Sequence, residues 1–192
     1  GQSNQIVFNP NTAYRMLAIL PGQTYAPGID SGKTGIPINQ PAGSGFAVTV
    51  YLTDRWCNRI FGRTDSVAGT TTDNFTPATY FRLANGAYTY NYSFRTAANQ
   101  RFFIRDASFP AIKADTSAPI YIYPGAYVRP LVLLPGEAHL PGDTTTVIAS
   151  TPGKSGSASP QFVGEDFTVT VYAVDSMWNR TPNADGHTVH LI

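Results

Sequence analysis

The stretch FAVTVYLTD, residues 46–54, decides the fold of this chain. Every second residue from Phe46 to Leu52 is apolar, which is the period-two pattern of a half-buried β-strand. β-branched and aromatic residues dominate the stretch, as a pleated sheet surface favours. The pattern returns as FTVTVYAVD, residues 167–175, where every second residue from Phe167 is predicted to face inward. We therefore predict one strand at each place.

Other segments repeat in the same order as these two strands. LPG at 20–22, followed by PG at 27–28, returns as LPG at 134–136 followed by PG at 141–142. The first block recurs 114 residues later and the strand 121 residues later, so the intervening loop has gained seven residues. Ordered self-similarity of this kind indicates duplication of one structural unit. The sequence therefore predicts two related units in tandem.

Each predicted strand ends in an aspartate that is followed four residues later by an asparagine. A short carboxylate can accept backbone N–H groups in the turn after a strand, and asparagine suits a left-handed turn position. The alternative is a calcium site, with oxygen ligands from Asp54 and Asn58, or from Asp175, Asn179 and Asp185. No dense acidic run supplies the six to eight oxygens that calcium takes. We therefore expect no cofactor, with calcium as the open alternative.

The remainder of the first copy reads as further short strands. Residues 79–83 and 88–94 flank Asn85-Gly86, a dipeptide that strongly favours a hairpin. The tyrosines of 88–94 alternate with polar residues, which indicates either an inward face or an exposed platform for sugar rings, and Phe94 in the same register favours the inward face. Short strands with turn-rich joints and no helical periodicity predict an all-β antiparallel sandwich.

These motifs together resemble bacterial immunoglobulin-like repeats. The residues that carry the resemblance are GKTG at 32–35, AG at 42–43, the strand 46–54 with Asn58, and LANG at 83–86. The resemblance covers 14–108 fully and 127–192 in part. It implies two tandem immunoglobulin-like β-sandwiches from a large secreted or cell-surface bacterial protein, such as a stalk or an adhesin. The family has no catalytic residues to carry over.

We predict three segments along the chain. Residues 1–110 form the first sandwich with a short extended N-terminal segment, 111–125 form a stiff proline-containing linker, and 126–192 form the second repeat. The second repeat lacks a counterpart of residues 72–108, which carry three predicted strands and would cover half of its core. The chain could continue beyond Ile192, a neighbouring copy could supply strands in trans, or the second unit could be a smaller variant.

Two extended apolar segments could pair with such an open sheet edge by strand addition. One is Ile6-Val7-Phe8 and the other lies in 119–123. The predicted interaction residues are Ile6, Val7, Phe8, Ile120, Tyr121, Ile122, Tyr123 and Tyr127. The expected partners are other copies of this chain or further repeats of the same protein.

Composition narrows the classes of function. The net charge of +1 provides no basic surface for nucleic acid, and no run of about 20 apolar residues predicts membrane insertion. Charged residues make up 13% of the chain, about half the usual share, which is typical of extracellular β-proteins rich in Thr, Tyr, Gly and Pro. We expect a non-catalytic structural or adhesive protein of a surface fibre, stalk or filament. The alternative is a carbohydrate-binding accessory module of a secreted enzyme, with Tyr121 and Tyr123 contacting glycan.

Overall fold

The computed structural model describes residues 4–145, 151–182 and 188, and within these ranges the chain is all-β. This part of the chain holds no helix that could span a membrane. The strands, in chain order, are β1 (Arg15–Ile19), β2 (Gln23–Tyr25), β3 (Lys33–Gly35), β4 (Gln40–Pro41), β5 (Phe46–Thr53), β6 (Ser66–Thr71), β7 (Thr79–Arg82), β8 (Ala87–Tyr92), β9 (Asn99–Gln100), β10 (Phe102–Asp106), β11 (Asp115–Thr116), β12 (Ile120–Tyr123), β13 (Arg129–Leu133), β14 (Glu137–His139), β15 (Lys154–Gly156) and β16 (Thr170–Val174).

Two antiparallel sheets pack around one core in the first unit, by which we mean residues 4–117. One sheet has the order β1-β5-β8 and the other β11-β10-β6-β7. The predicted alternation of β5 is confirmed, since Phe46, Val48, Val50 and Leu52 are buried, with Ala47 exposed and Thr49 and Tyr51 partly exposed. These side chains meet Phe102 and Ile104 of the opposite sheet in one apolar cluster, which is the packing of a β-sandwich.

The internal repeat is present in the strand registers. β1 pairs with β5 so that Arg15 faces Thr53, and β13 pairs with β16 so that Arg129 faces Val174. The pairs β2–β3 and β14–β15 correspond in the same way. In every case the first strand recurs 114 residues later and its partner 121 residues later. The seven added residues therefore lie in the loop between β14 and β15.

The Asn85-Gly86 turn is closed by one antiparallel bridge between Ala84 and Ala87, but the strands β7 and β8 do not pair as the predicted hairpin. Both residues have the positive φ of a tight turn, 54° and 76°. The flanking strands nevertheless belong to different sheets, because β7 pairs with β6 while β8 pairs with β5. A side chain at Gly86 would place its Cβ 1.7 Å from the carbonyl oxygen of Ile60, so the turn packs against that loop. At this dipeptide the chain therefore passes from one sheet of the sandwich to the other.

Residues 111–125, predicted as a linker, contain two strands that pair with strands of the first unit. β11 pairs with β10, and β12 lies between β4 and β9 in a third sheet, parallel to β4 and antiparallel to β9. Ile120 and Ile122 of β12 are buried in the core of the first unit. The apolar side chains of β12 thus pack inward against that core.

The second unit, which we define as the described residues from 118 onward, exposes the face that is core in the first. Leu20 is 2% exposed, whereas its counterpart Leu134 is 36% exposed. Phe167 is exposed, and the last strand begins at Thr170, so the prediction of an inward Phe167 is wrong. The reason is that no second sheet covers this face within the described residues. On the other face Leu131, Leu133 and Val174 form a small separate cluster.

Candidate functional site: the joint between the two units

The two repeated turns are built alike, atom by atom. Oδ1 of Asp54 accepts the N–H groups of Trp56 and Asn58, both at 2.9 Å, and Oδ2 accepts the amide of Asn58 at 3.0 Å. Oδ1 of Asp175 accepts the N–H groups of Met177 and Asn179 at 2.8 Å. The left-handed residues are Cys57 and Trp178, one position before the predicted asparagines. The asparagines instead donate their side-chain amides to the aspartates.

N–H donors surround both aspartates. Oδ2 of Asp54 also accepts the N–H of Asn11, and Oδ2 of Asp175 accepts that of Gly125. Burial raises the pKa of Asp54, but the N–H donors of Asn11, Asn58 and Trp56 and the Asn58 amide lower it by more, so the net pKa lies below the usual value. The carboxylates therefore close their turns through N–H groups, as in an Asx turn. Asp185, the remaining calcium candidate, lies outside the described residues.

We expect chelation to leave the stability of the protein unchanged. A carboxylate whose oxygens already accept N–H groups offers no free ligands to calcium without breaking the turn. Addition of EDTA to the full chain should shift the melting temperature by less than about 1 °C, a few tenths of a kcal/mol. Differential scanning calorimetry with EDTA and with added calcium measures this. A fall of several degrees that calcium reverses would instead assign an ion to these turns.

Asn179 joins the second unit to the first. Its Oδ1 accepts the N–H of Ala97 at 2.8 Å and its Nδ2 donates to the carbonyl oxygen of Arg95 at 2.9 Å. Both partners belong to the loop 95–97 of the first unit, and Asn179 is buried there. The equivalent Asn58 is partly exposed and its amide donates to Asp54. The duplicated turn therefore contacts a neighbouring unit in one copy and solvent in the other.

Met177 adds an apolar contact to the joint. Its side chain packs against the core of the first unit. A Cβ placed on Gly43 would lie 2.8 Å from the terminal carbon of Met177, and Gly43 has a φ of 77°. Glycine is therefore required here for both backbone conformation and space.

Asp73 holds the loop that receives Asn179. Its carboxylate accepts the N–H groups of Phe75, Arg95 and Thr96, and it also accepts the hydroxyls of Thr76 and Thr96. Burial raises the pKa of Asp73, but the N–H groups of Thr96, Arg95 and Phe75 outweigh that effect, so the pKa lies below its usual value. The buried carboxylate of Asp73 therefore holds the loop 95–97 in the conformation that binds Asn179.

Substitution of the two equivalent asparagines should show how much of the free energy of unfolding comes from the contact between the units and how much from the turn itself. Asn58→Ala and Asn179→Ala each remove an amide that bonds an aspartate. Asn179→Ala also leaves the N–H of Ala97 and the carbonyl of Arg95 without partners, so it should cost about 1–3 kcal/mol more. Chemical denaturation of both variants measures the difference. Equal losses would mean that Asn179 contributes nothing across the joint.

The predicted interaction residues divide into two groups. Ile120 and Ile122 are buried inside the first unit, so they are not available to a partner, contrary to the sequence prediction. Tyr121 and Tyr123, which alternate with them, are exposed. The N-terminal residues Ile6, Val7 and Phe8 are all exposed, and Tyr127 is partly buried. Alternation along β12 explains the division, because successive side chains of a strand point to opposite faces.

Two cavities lie beside these residues. One of about 540 Å³ is lined by Tyr121, Tyr123 and Tyr127 together with Pro124 and Pro182. The other, of about 460 Å³, lies at the opposite end of the first unit and includes Phe8, Tyr25, Tyr51, Arg59 and Phe61. Both present aromatic rings with few charged groups. They are suited to packing contacts or to stacking on a sugar ring.

Two of the three tyrosines of β8 belong to the core, so the strand presents no row of exposed rings. Tyr92 is buried, Tyr90 packs against the same cluster, and only Tyr88 at the strand end is exposed. Burial raises the pKa of Tyr92 to about 12, while the pKa of Tyr90 is raised further for the same reason. The inward interpretation of this strand is therefore supported.

The described residues bring together no three His, Cys, Asp or Glu side chains that could hold a metal ion.

Titratable side chains elsewhere in the described residues have local partners. Nε2 of His139 lies 2.6 Å from the carbonyl oxygen of Trp178, so the imidazole contacts the second turn. Asp65 and Asp106 are neighbouring carboxyls, but both are buried. Burial, together with the Asp65 carboxyl, raises the pKa of Asp106. What the joint offers chemically is apolar packing and hydrogen bonding.

No family model, no curated protein and no solved structure matches this chain. One signal in the sequence extends the repeat further than the strands alone suggested. At the spacing of 114 residues, Ile6, Phe8 and Pro10 correspond to Ile120, Ile122 and Pro124. The N-terminal segment is thus the counterpart of β12.

Proposed function

We propose that this chain is a non-catalytic structural or adhesive part of a secreted or cell-surface protein, built from tandem immunoglobulin-like units in a stalk or fibre. The observation that carries the proposal is the joint, in which the first strand of the second unit completes a sheet of the first. Asn179 and Met177 reinforce that contact from the turn. A protein whose role is to keep modules in line needs such a connection.

The joint suits a protein that holds its shape under load. Separating the units would require removal of two buried isoleucines, rupture of the β12 backbone hydrogen bonds and exposure of the Asn179 partners. A hinge would instead have few buried contacts and a flexible linker. The low share of charged residues and the family resemblance are the support for an extracellular location.

Antibodies test the location and the class of function together. Antibodies raised against the full chain should label the surface of intact source cells, and negative-stain microscopy should find the gold label on stalks or fibres. Cells that lack the gene serve as the control. Labelling that requires permeabilised cells would contradict the proposal.

A carbohydrate-binding module is the second candidate, because exposed Tyr121 and Tyr123 line the cavity beside the joint. Aromatic rings beside a cavity can stack on sugar rings. If the chain is retained on a polysaccharide, Tyr121→Ala should reduce that retention by about tenfold, which corresponds to about 1.4 kcal/mol. Tyr80→Ala is the matched control, since Tyr80 is also exposed but lies on β7. Equal retention of both variants would exclude Tyr121 from a glycan site.

A further inference from the structure

We propose that residues 6–9 of one copy add as a strand to residues 161–163 of a second copy, joining chains head to tail. The inference rests on the proposed function and names its partner. Its template is the internal joint, where β12 adds to β4 in parallel. Because the two surfaces differ, the contact would extend into a row of copies and not close as a symmetric dimer.

The donor segment, residues 6–9, is the counterpart of β12, but its apolar side chains are exposed. Ile6 is 73% exposed, whereas its counterpart Ile120 is 1% exposed. Phe8 is 88% exposed, whereas its counterpart Ile122 is fully buried. Three apolar side chains in a row, Ile6, Val7 and Phe8, are thus held in solvent in a segment whose duplicate lies in a core. Burial of apolar surface supplies the driving force for docking.

The turn 54–58 beside the donor also exposes residues whose counterparts make contacts across the internal joint. Asn58 corresponds to Asn179, which bonds the loop 95–97 across the internal joint. Trp56 corresponds to Met177, which packs on the neighbouring core, yet Trp56 is exposed. The donor segment and an exposed apolar residue therefore recur together beside Asn58 in the first unit. The coincidence of the donor segment and Trp56 at equivalent positions points to the same kind of contact, whereas the loop 95–97 that receives Asn179 has no counterpart in the second unit, so Asn58 adds nothing to it.

The acceptor is the counterpart of β4 in the second unit. At the spacing of 121 residues, QPAG at 40–43 corresponds to QFVG at 161–164, and Gly43 and Gly164 both have positive φ. Phe162 and Val163 are exposed, and no atom lies within 4 Å of a Cβ placed on Gly164. The place that Met177 fills against Gly43 is therefore open at Gly164. The acceptor matches the donor in chemistry, since both carry exposed apolar side chains and no charged residue.

The template fixes the register of the contact. Ile122 lies opposite Gln40, and the N–H of Ala42 donates to the carbonyl of Tyr123 at 2.8 Å. Transferred by the repeat, Phe8 should lie opposite Gln161 of the second copy. The N–H of Val163 should then donate to the carbonyl of Asn9. The two segments would thus pair as parallel strands, with main-chain hydrogen bonds supplying affinity and side chains specificity.

Sedimentation of the full chain tests the contact. The wild-type protein should associate as its concentration rises to about 1 mM. Ile6→Asp and Val163→Asp should each weaken association at least tenfold, and the double variant should be no weaker than either single one. Each side chain is exposed in the monomer, so folding should be unaffected, which far-UV circular dichroism checks. Tyr80→Asp, on an exposed residue of β7, should associate like wild type.

A cross-link identifies the register. When chains carrying Phe8→Cys are mixed with chains carrying Gln161→Cys, mild oxidation should give a disulfide-linked dimer, since these residues would be direct neighbours. The pair Phe8→Cys with Tyr80→Cys is the control and should not cross-link selectively. A wild-type chain that stays monomeric throughout, or association unaffected by either aspartate, would overturn the proposal. Neither result would bear on surface labelling, so the structural function fails or stands separately.

Discussion

Ile120→Ala should destabilise the protein by about 2–5 kcal/mol, whereas Ile6→Ala should change its stability by less than about 0.5 kcal/mol. The two isoleucines occupy equivalent positions of the repeat, but Ile120 is buried in the first unit and Ile6 is exposed. Removal of buried methyl groups loses transfer free energy and leaves a cavity, and removal of exposed ones does neither. Guanidinium denaturation of the two variants measures the difference.

Tyr121→Ala is the control for the strand itself. Tyr121 neighbours Ile120 on the same strand but is exposed, so Tyr121→Ala should resemble Ile6→Ala. If Ile120→Ala were as mild as these controls, β12 would not belong to the core of the first unit. The joint would then be a surface contact, and the argument for a rigid connection would fail.

Asp73→Ala should cost about 3–5 kcal/mol, the second large effect. It leaves three backbone N–H groups, those of Phe75, Arg95 and Thr96, without their acceptor. Unsatisfied buried donors cost about 1–3 kcal/mol each, although the effects are not fully additive. The exposed Asp166 provides the control, because Asp166→Ala removes a surface charge alone. A loss for Asp73→Ala as small as for Asp166→Ala would mean that the loop 95–97 is held by other contacts.

The pH dependence of stability should report the same carboxylate. The pKa of Asp73 is lower in the folded protein than its ordinary value near 3.8, so the folded state favours the charged form. Its stabilisation is therefore complete above the ordinary value and is lost as the pH falls through the folded pKa. Thermal unfolding between pH 6 and about pH 2 should show a steeper acid loss for wild type than for Asp73→Asn. Parallel curves would contradict the assignment.

The repeat is what the sequence revealed most fully. Alternation in residues 46–54 predicted β5, and the spacings of 114 and 121 residues predicted equivalent strand pairs that the registers confirm. The turns after these strands were also predictable, since Asp and Asn have few roles after a strand other than accepting or donating locally. The residue that takes the left-handed conformation was not predictable from the sequence. Asn58 and Asn179 donate their side-chain amides to the aspartates, and the residues before them, Cys57 and Trp178, take the left-handed conformation.

The site was much less predictable. The sequence marked 119–123 as a spare apolar strand but could not show that its isoleucines fill the first core, because periodicity identifies an apolar face without its partner. Asn85-Gly86 fixed a tight turn, yet the flanking strands pair with different neighbours, which is a long-range choice. The loop 95–97 had no signal of its own, since its role depends on Asn179, more than 80 residues away.

The sequence by itself determined the local conformation and the duplication, because side-chain alternation, turn chemistry and spacing are properties of neighbouring residues. Tertiary structure alone decided which of two equivalent segments is buried: Ile120 lies in a core and Ile6 in solvent. The physical reason is that burial requires a neighbouring surface, and β12 has β4 and β9 beside it. Two equivalent apolar segments thus form a joint in one place and an exposed segment in the other.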